Sequence, residues 1–125
     1  MTATLAPPHL LAAVAEPTRL RIVNCLAAAP LFVSDLQAIL DLPQPTVSRH
    51  LRVLRDSELV RDTPIGQFVL YRLRRSTDPS GRLLAAILEA MTHDEALGRE
   101  RTIAATRSRS HTRLRVEGEA RHAER

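Results

Sequence analysis

Between Gln44 and Arg74 the spacing of apolar residues changes from helical to extended, and few folds accept that change within so short a stretch. At about 100° per residue, Val47, His50, Leu51 and Leu54 fall on one side of a helix running from about Gln44 to Glu58. Pro45, Ser48, Arg49 and Arg52 fall on the other side, with Thr46 and Val53 at the edge. Pro45 sits early enough for its missing N–H to cost nothing. Leu59 to Thr63 and Gln67 to Arg74 then follow a period of 2, with Val69, Tyr71 and Leu73 alternating with Leu70, Arg72 and Arg74. Pro64-Ile65-Gly66 is the turn between two strands. A helix with a small, hydroxylated and basic outer face thus leads directly into a β-hairpin. Val47, Leu51, Leu54 and Tyr71 read as core, and His50 as a packed histidine rather than a ligand.

Three shorter helices precede this unit. Pro7 and Pro8 open an apolar run from His9 to Ala15, and Pro17 starts a second helix with Leu20, Val23 and Cys25 to Ala27 as its apolar stripe. Pro30 ends it. Ser34 or Asp35 caps a third helix through Leu40, and Asp41-Leu42-Pro43 is a tight turn. Beyond the hairpin, Thr77-Asp78-Pro79-Ser80 caps a fifth helix carrying Leu83, Leu84, Ile87, Leu88 and Met91. The fold class expected is mainly α with a small β-hairpin, a winged helix-turn-helix in the order α-α-α-α-β-β-α. Residues 1–97 form the winged-helix and dimerisation domain of this expectation, and residues 98–125 an Arg-rich tail that is mobile or partly helical. The terminal helices carry more apolar surface than a small core can use. Leu10, Leu11, Leu84, Ile87, Leu88 and Met91 are therefore the candidate interface of a homodimer.

Charge narrows the function. All 18 basic residues are Arg, which favours bidentate contact with phosphates or base edges. Residues 44–75 hold seven Arg against Asp56, Glu58 and Asp62, a net of +4, whereas residues 1–43 and 76–97 are net acidic. The tail from Gly98 carries eight Arg against four Glu. A polyanion partner is therefore expected at the middle segment. No apolar run approaches the roughly 20 residues that span a bilayer, and no charged n-region precedes an apolar stretch, so the expectation is a cytoplasmic protein without a membrane partner. A single cysteine excludes a disulfide scaffold, and no nucleophile-base pair or glycine-rich phosphate loop suggests an enzyme.

Ala15-Glu16-Pro17-Thr18-Arg19-Leu20-Arg21-Ile22, Asp35-Leu36-Gln37, Gln44-Pro45-Thr46-Val47-Ser48-Arg49-His50-Leu51, Leu59-Val60-Arg61 and Tyr71-Arg72-Leu73 occur in this order. Over roughly residues 8–92 the chain resembles the ArsR/SmtB family, dimeric bacterial repressors that leave their operators on binding a metal, a metalloid or another signal. The resemblance implies a sequence-specific regulator of double-stranded DNA, most simply a repressor, with helix 44–58 in the major groove and hairpin 59–74 on flanking DNA.

Side-chain chemistry points the same way. A major groove about 12 Å wide admits one helix. Gln44 can present a bidentate amide to adenine, Arg49 can reach guanine O6 and N7, and Thr46 and Ser48 can bond phosphate or base. Arg52, one turn further on, suits a phosphate, and Arg61 and Arg72 suit flanking phosphates. The wing tip, Ile65-Gly66-Gln67, departs from a basic tip.

No effector can be read from the residues. The family's Cys-Val-Cys at the start of the third helix corresponds to Phe32-Val33-Ser34, without sulfur ligands. The family's second site, an Asp-x-His after the hairpin, corresponds to Arg75 and Thr77. His111 and His122 stand in the tail without matching carboxylates, and His93-Asp94-Glu95 reads as solvated surface. Cys25 reads as a small buried apolar residue. No cofactor or metal is therefore assigned. Two alternatives stay open: a metal-sensing repressor with non-standard ligands, such as tail histidines paired across a dimer, and a winged-helix module binding protein or RNA.

Overall fold

The computed structural model describes residues 6–123, and side chains as far as His111. Nine elements follow in order: α1 (Pro7–Val14), α2 (Pro17–Ala28), β1 (Leu31–Phe32), α3 (Val33–Leu40), α4 (Gln44–Asp56), β2 (Val60–Ile65), β3 (Phe68–Leu73), α5 (Pro79–Met91) and α6 (Glu95–Ala123). The three strands form one antiparallel sheet in the order β1-β3-β2. It is a winged helix-turn-helix, mostly helical with a small hairpin.

The core forms where the apolar stripes converge. Ile22, Val23 and Cys25 of α2, Leu36 of α3, and Val47, Leu51 and Leu54 of α4 are fully buried, and Leu31 of β1 joins them. On β3, Tyr71 and Leu73 pack against this cluster from the inner face of the sheet. Alternation therefore leaves Phe68, Leu70 and Arg72 on the outer face. The turn between α3 and α4 is fixed by Asp41, whose left-handed backbone (φ 54°) ends α3 while its N–H donates to the Gln37 carbonyl.

Five features differ from the sequence expectation. The strand β1 was not legible, because two residues carry no period; it pairs Leu31 with Tyr71 and Phe32 with Leu70. The residue preceding α3 is Phe32, so Ser34 and Asp35 lie inside the helix, and Asp35 reaches back to accept the Phe32 N–H at 2.9 Å. The segment from Gly98, expected as a tail, continues α6, which packs along α2. Asp94 caps that helix by accepting the Leu97 N–H at 2.9 Å, although it reads in sequence as solvated surface. Lastly, three candidate interface residues lie inside the protomer. Leu10 is fully buried, and Leu84 and Met91 are buried too, because α1 and α5 pack on one another.

The placement of α6 rests on polar anchors. Arg21 of α2 grips Glu100 with two nitrogens, at 3.0 Å and 2.6 Å. Asn24, fully buried, donates to the Leu97 carbonyl at 3.0 Å. The third anchor is Asp35, whose side chain is wholly buried. Arg107 Nε donates to Asp35 Oδ1 at 2.8 Å, and His111 Nε2 lies 2.6 Å from the same oxygen. Burial alone raises the Asp35 carboxyl's pKa, but hydrogen bonds from His111, Arg107 and the Phe32 N–H outweigh it and hold the group below its ordinary value.

At the start of α5, Asp78 accepts the Gly81 N–H at 2.8 Å. A Cβ added at Gly81 would overlap the Ser76 carbonyl oxygen, a backbone atom that cannot swing aside.

Two outcomes follow from these anchors. Asp35→Ala should lower stability at neutral pH by about 1–3 kcal/mol, since the Phe32 N–H, the Arg107 guanidinium and the His111 imidazole lose their shared partner. Because the folded carboxyl titrates below its unfolded value of about 3.9, its contribution is complete above that value and is lost as pH falls through the folded one. Acid unfolding followed by circular dichroism should thus be steeper below about pH 4 for the native chain than for Asp35→Asn. Gly81→Ala should cost about 1–3 kcal/mol in urea unfolding, from forced displacement of the 76–81 loop.

Candidate nucleic-acid interface

The helix α4 owes its orientation to its apolar side. Val47, Leu51 and Leu54 are fully buried against α2 and α3, which turns Gln44, Arg49 and Arg52 outward, with Ser48 half-buried between them. Thr46 is also half-buried. Gln44 Nε2 donates to Ser48 Oγ at 2.7 Å, so the amide is held along the helix one turn above the hydroxyl. His50 faces inward and half-buried, with Nδ1 3.6 Å from Glu16 Oε2. Glu16 also accepts the Arg19 N–H and caps α2, and these contacts with His50 outweigh its burial and keep its carboxyl below the ordinary range.

The hairpin carries the second group. Arg61 and Arg72 stand directly opposite each other across β2 and β3, both exposed. Like charges in that register repel, and a shared anion relieves the repulsion. The two groups are coupled through Arg55, near the end of α4, which bonds Asp62 of β2 at 3.4 Å.

The acids of the segment sort its arginines. Asp56 and Asp62 are both engaged by Arg55, and Glu58 by Arg74 at 3.2 Å. Arg75 donates to the Ala27 carbonyl at 2.8 Å. Among the described residues, Arg49, Arg52, Arg61 and Arg72 make no ion pair, and all four are exposed. The excess charge of residues 44–75 thus resides on side chains pointing into solvent from α4 and the wing. The wing tip itself is a turn through Gly66 (φ 61°) with no cation on it.

Sites of other chemistry are poorly furnished. Cys25 is fully buried, and burial together with nearby Glu100 pushes its thiol up to about 12, so it is not a thiolate at neutral pH. His111 has a carboxylate partner after all, in Asp35, but shares it with Arg107. His93 pairs with Glu89 on the surface at 3.3 Å. The side chain of His122 lies outside the described residues. Among the described residues, no group of three or more His, Cys, Asp and Glu is placed to hold a metal ion. No helix there is long and apolar enough to cross a membrane.

Three groups of residues were not found by sequence reasoning. These are the α6 anchors, the strand β1, and an apolar outer sheet face formed by Phe32, Phe68 and Leu70. The alternation in β3 was a usable signal for the last, since Phe68 and Leu70 share a face with Arg72.

Comparison with known proteins agrees with this geometry. Residues 16–62 match the model of the bacterial regulatory protein, arsR family. The chain is 40% identical over 87 residues to the HTH-type transcriptional regulator Rv2034 of Mycobacterium tuberculosis, covering 70% of this chain and 76% of that protein. It is 46% identical over 70 residues to the arsenical resistance operon repressor of Escherichia coli, covering 55% of this chain and 60% of the repressor's length. Among solved structures, reduced HlyU from Vibrio cholerae superposes with a TM-score of 0.59 at 34% identity, over 68% of this chain and 83% of that one. The chain therefore belongs to the ArsR family of bacterial regulatory proteins and is a DNA-binding transcriptional regulator.

Proposed function

We propose that the chain is a homodimeric repressor that reads its operator with the outer face of α4 and steadies itself on flanking phosphates with the wing. The observation that carries this reading is the sorting of arginines: every acid within residues 44–75 is engaged by Arg55 or Arg74, Arg75 is held on the Ala27 carbonyl, and the four arginines that remain are exposed on those two elements. Gln44 and Arg49 present the bidentate groups suited to adenine and guanine, with Thr46 and Ser48 beside them. Arg52, Arg61 and Arg72 supply charge without sequence information.

One recognition helix reads only a few base pairs, so two copies on half-sites about 34–36 Å apart suit this reading. The surface left for pairing is smaller than the sequence suggested. With Leu10, Leu84 and Met91 inside the protomer, Leu11 (47% exposed) and the half-buried Ile87 and Leu88 remain on the adjoining helices α1 and α5. A regulator of this kind works in the cytoplasm and answers to an effector.

Binding to a fragment of its own upstream DNA, at two salt concentrations and against unrelated DNA, tests the reading; equal and weak binding to both would overturn it. Within that assay Arg49→Ala should cost about 1–3 kcal/mol and relax preference at one base position. Arg52→Ala should instead weaken all sequences alike and lower the slope of log affinity against log salt by about 1.

A further inference from the structure

The outer face of the wing sheet is unusually apolar for a surface that faces water or DNA. Phe32 of β1 stands opposite Leu70 of β3, and Ile65 of β2 stands opposite Phe68. The Phe32 and Phe68 rings meet edge to face at 6.1 Å, and Phe68 is 61% exposed. Beside this face α6 contributes Ser108 and His111, and His111 stands edge-on to Phe32 at 5.2 Å. Between sheet and helix lies a cavity of about 320 Å³, walled by Phe32, Ile65, Leu70, Ser108 and His111, with Arg72 in its lining. That is near the lower end of the roughly 300–1,000 Å³ found for small-molecule sites, and the mixture of apolar walls and a few polar groups is theirs too.

The charge of the lining selects the ligand. Among the described residues no carboxylate lines the cavity, and Arg72 is the one permanently charged group there. Arg72 makes no ion pair among the described residues, and Arg61 across the strand adds a second positive charge beside it. A guanidinium in this state matches a carboxylate with two parallel hydrogen bonds. The aromatic and branched walls match a flat or branched apolar body.

We propose that this cavity binds a small apolar monocarboxylic acid, its carboxylate on the Arg72 guanidinium and its body against Phe32, Ile65 and Leu70. The acid is the effector: Arg72 cannot hold a ligand carboxylate and a DNA phosphate together, so the loaded protein loses part of its hold on flanking DNA. This last consequence rests on the assignment of Arg72 to DNA given above, whereas the cavity and its ligand class do not.

Titration of the full chain with 2-naphthoate and its neutral analogue 2-naphthamide, followed by probe fluorescence, tests the site; the chain has no Trp to interfere. The native protein should bind naphthoate saturably, one per chain, and about tenfold tighter than the amide, as charge-assisted bonds require. Arg72→Gln should bring the two affinities together. Ile65→Glu, which sets a carboxylate into the wall at a half-exposed strand end, should abolish naphthoate binding with the circular dichroism spectrum unchanged. Absence of saturable binding, equal affinity for acid and amide in the native protein, or an acid preference that survives Arg72→Gln would overturn the site. In the promoter-fragment assay, naphthoate but not naphthamide should weaken binding; occupancy without any loss of DNA affinity would overturn the effector role. Failure of the unliganded protein to bind DNA would overturn the proposed function instead, and the titration would still decide the cavity.

Discussion

A single buried carboxylate organises the corner where the sheet, α3 and the last helix meet. Asp35 lies on α3 with no solvent access, and an unpaired charge there would cost several kcal/mol. Three groups offset that cost, and they come from separate parts of the chain: the Phe32 N–H at the β1–α3 junction, and Arg107 and His111 on α6. Because both oxygens are used, neither β1 nor α6 can shift without stranding the charge. The requirement fixes more than α3. It sets Phe32 into the sheet opposite Leu70 and brings His111 over the same ring, and the cavity beside the wing lies between these residues.

The allocation of charge works by the same logic on the surface. A segment with a net of +4 repels itself, and the three acids within it are placed where they reduce that repulsion at structural joints. Arg55 ties α4 to β2 through Asp62, and Arg74 returns from the end of β3 to Glu58, whose left-handed backbone (φ 61°) marks the exit from α4. These exposed pairs contribute little stability one by one. Their effect is selective: they leave positive potential on the outer face of α4 and on one register position of the hairpin. Arg61 and Arg72 face one another there without an acid between them, a placement unfavourable for folding alone and favourable for holding an anion.

How much of this was legible depended on whether a residue's role followed from a local period. The stripe Val47, Leu51, Leu54 and the alternation around Tyr71 gave the helix-turn-helix and the hairpin, because amphipathic elements of ordinary length impose their own repeat. Asp78 was legible as part of a cap, being followed by Pro79 at a helix start. The anchors of α6 were not. Arg21 and Glu100 are 79 residues apart, and Asp35 and His111 are 76 apart, so nothing in the neighbourhood of either signals the other. The helix α6 has almost no apolar stripe, with Ala104 as its fully buried side chain among the described residues, and polar bonds hold it where a periodic face would normally do so. An Arg- and Ser-rich segment without apolar spacing therefore looks like a solvated tail until its partners are known. Among the candidate dimer contacts, Leu10 and Leu84 were recognised as apolar, and their own protomer's α1–α5 contact covers them.

The start of α3 also bears on what kind of signal this chain can take. Its resemblance to the family would place sulfur ligands at Phe32 and Ser34, and neither side chain can bind a soft metal ion. The carboxylate nearest that position, Asp35, has one oxygen on a backbone N–H and the other shared between a guanidinium and an imidazole, so a cation would have to displace three partners and sit beside Arg107. The one thiol, Cys25, is buried and protonated in the core. What this corner presents instead is apolar surface, two phenylalanine rings, and Arg72 with Arg61 beside it, neither of which makes an ion pair among the described residues. Donor chemistry of that kind selects an organic anion over a metal ion, and a ligand seated there would touch the wing through Leu70 and Arg72 and α6 through His111 without altering the buried face of α4.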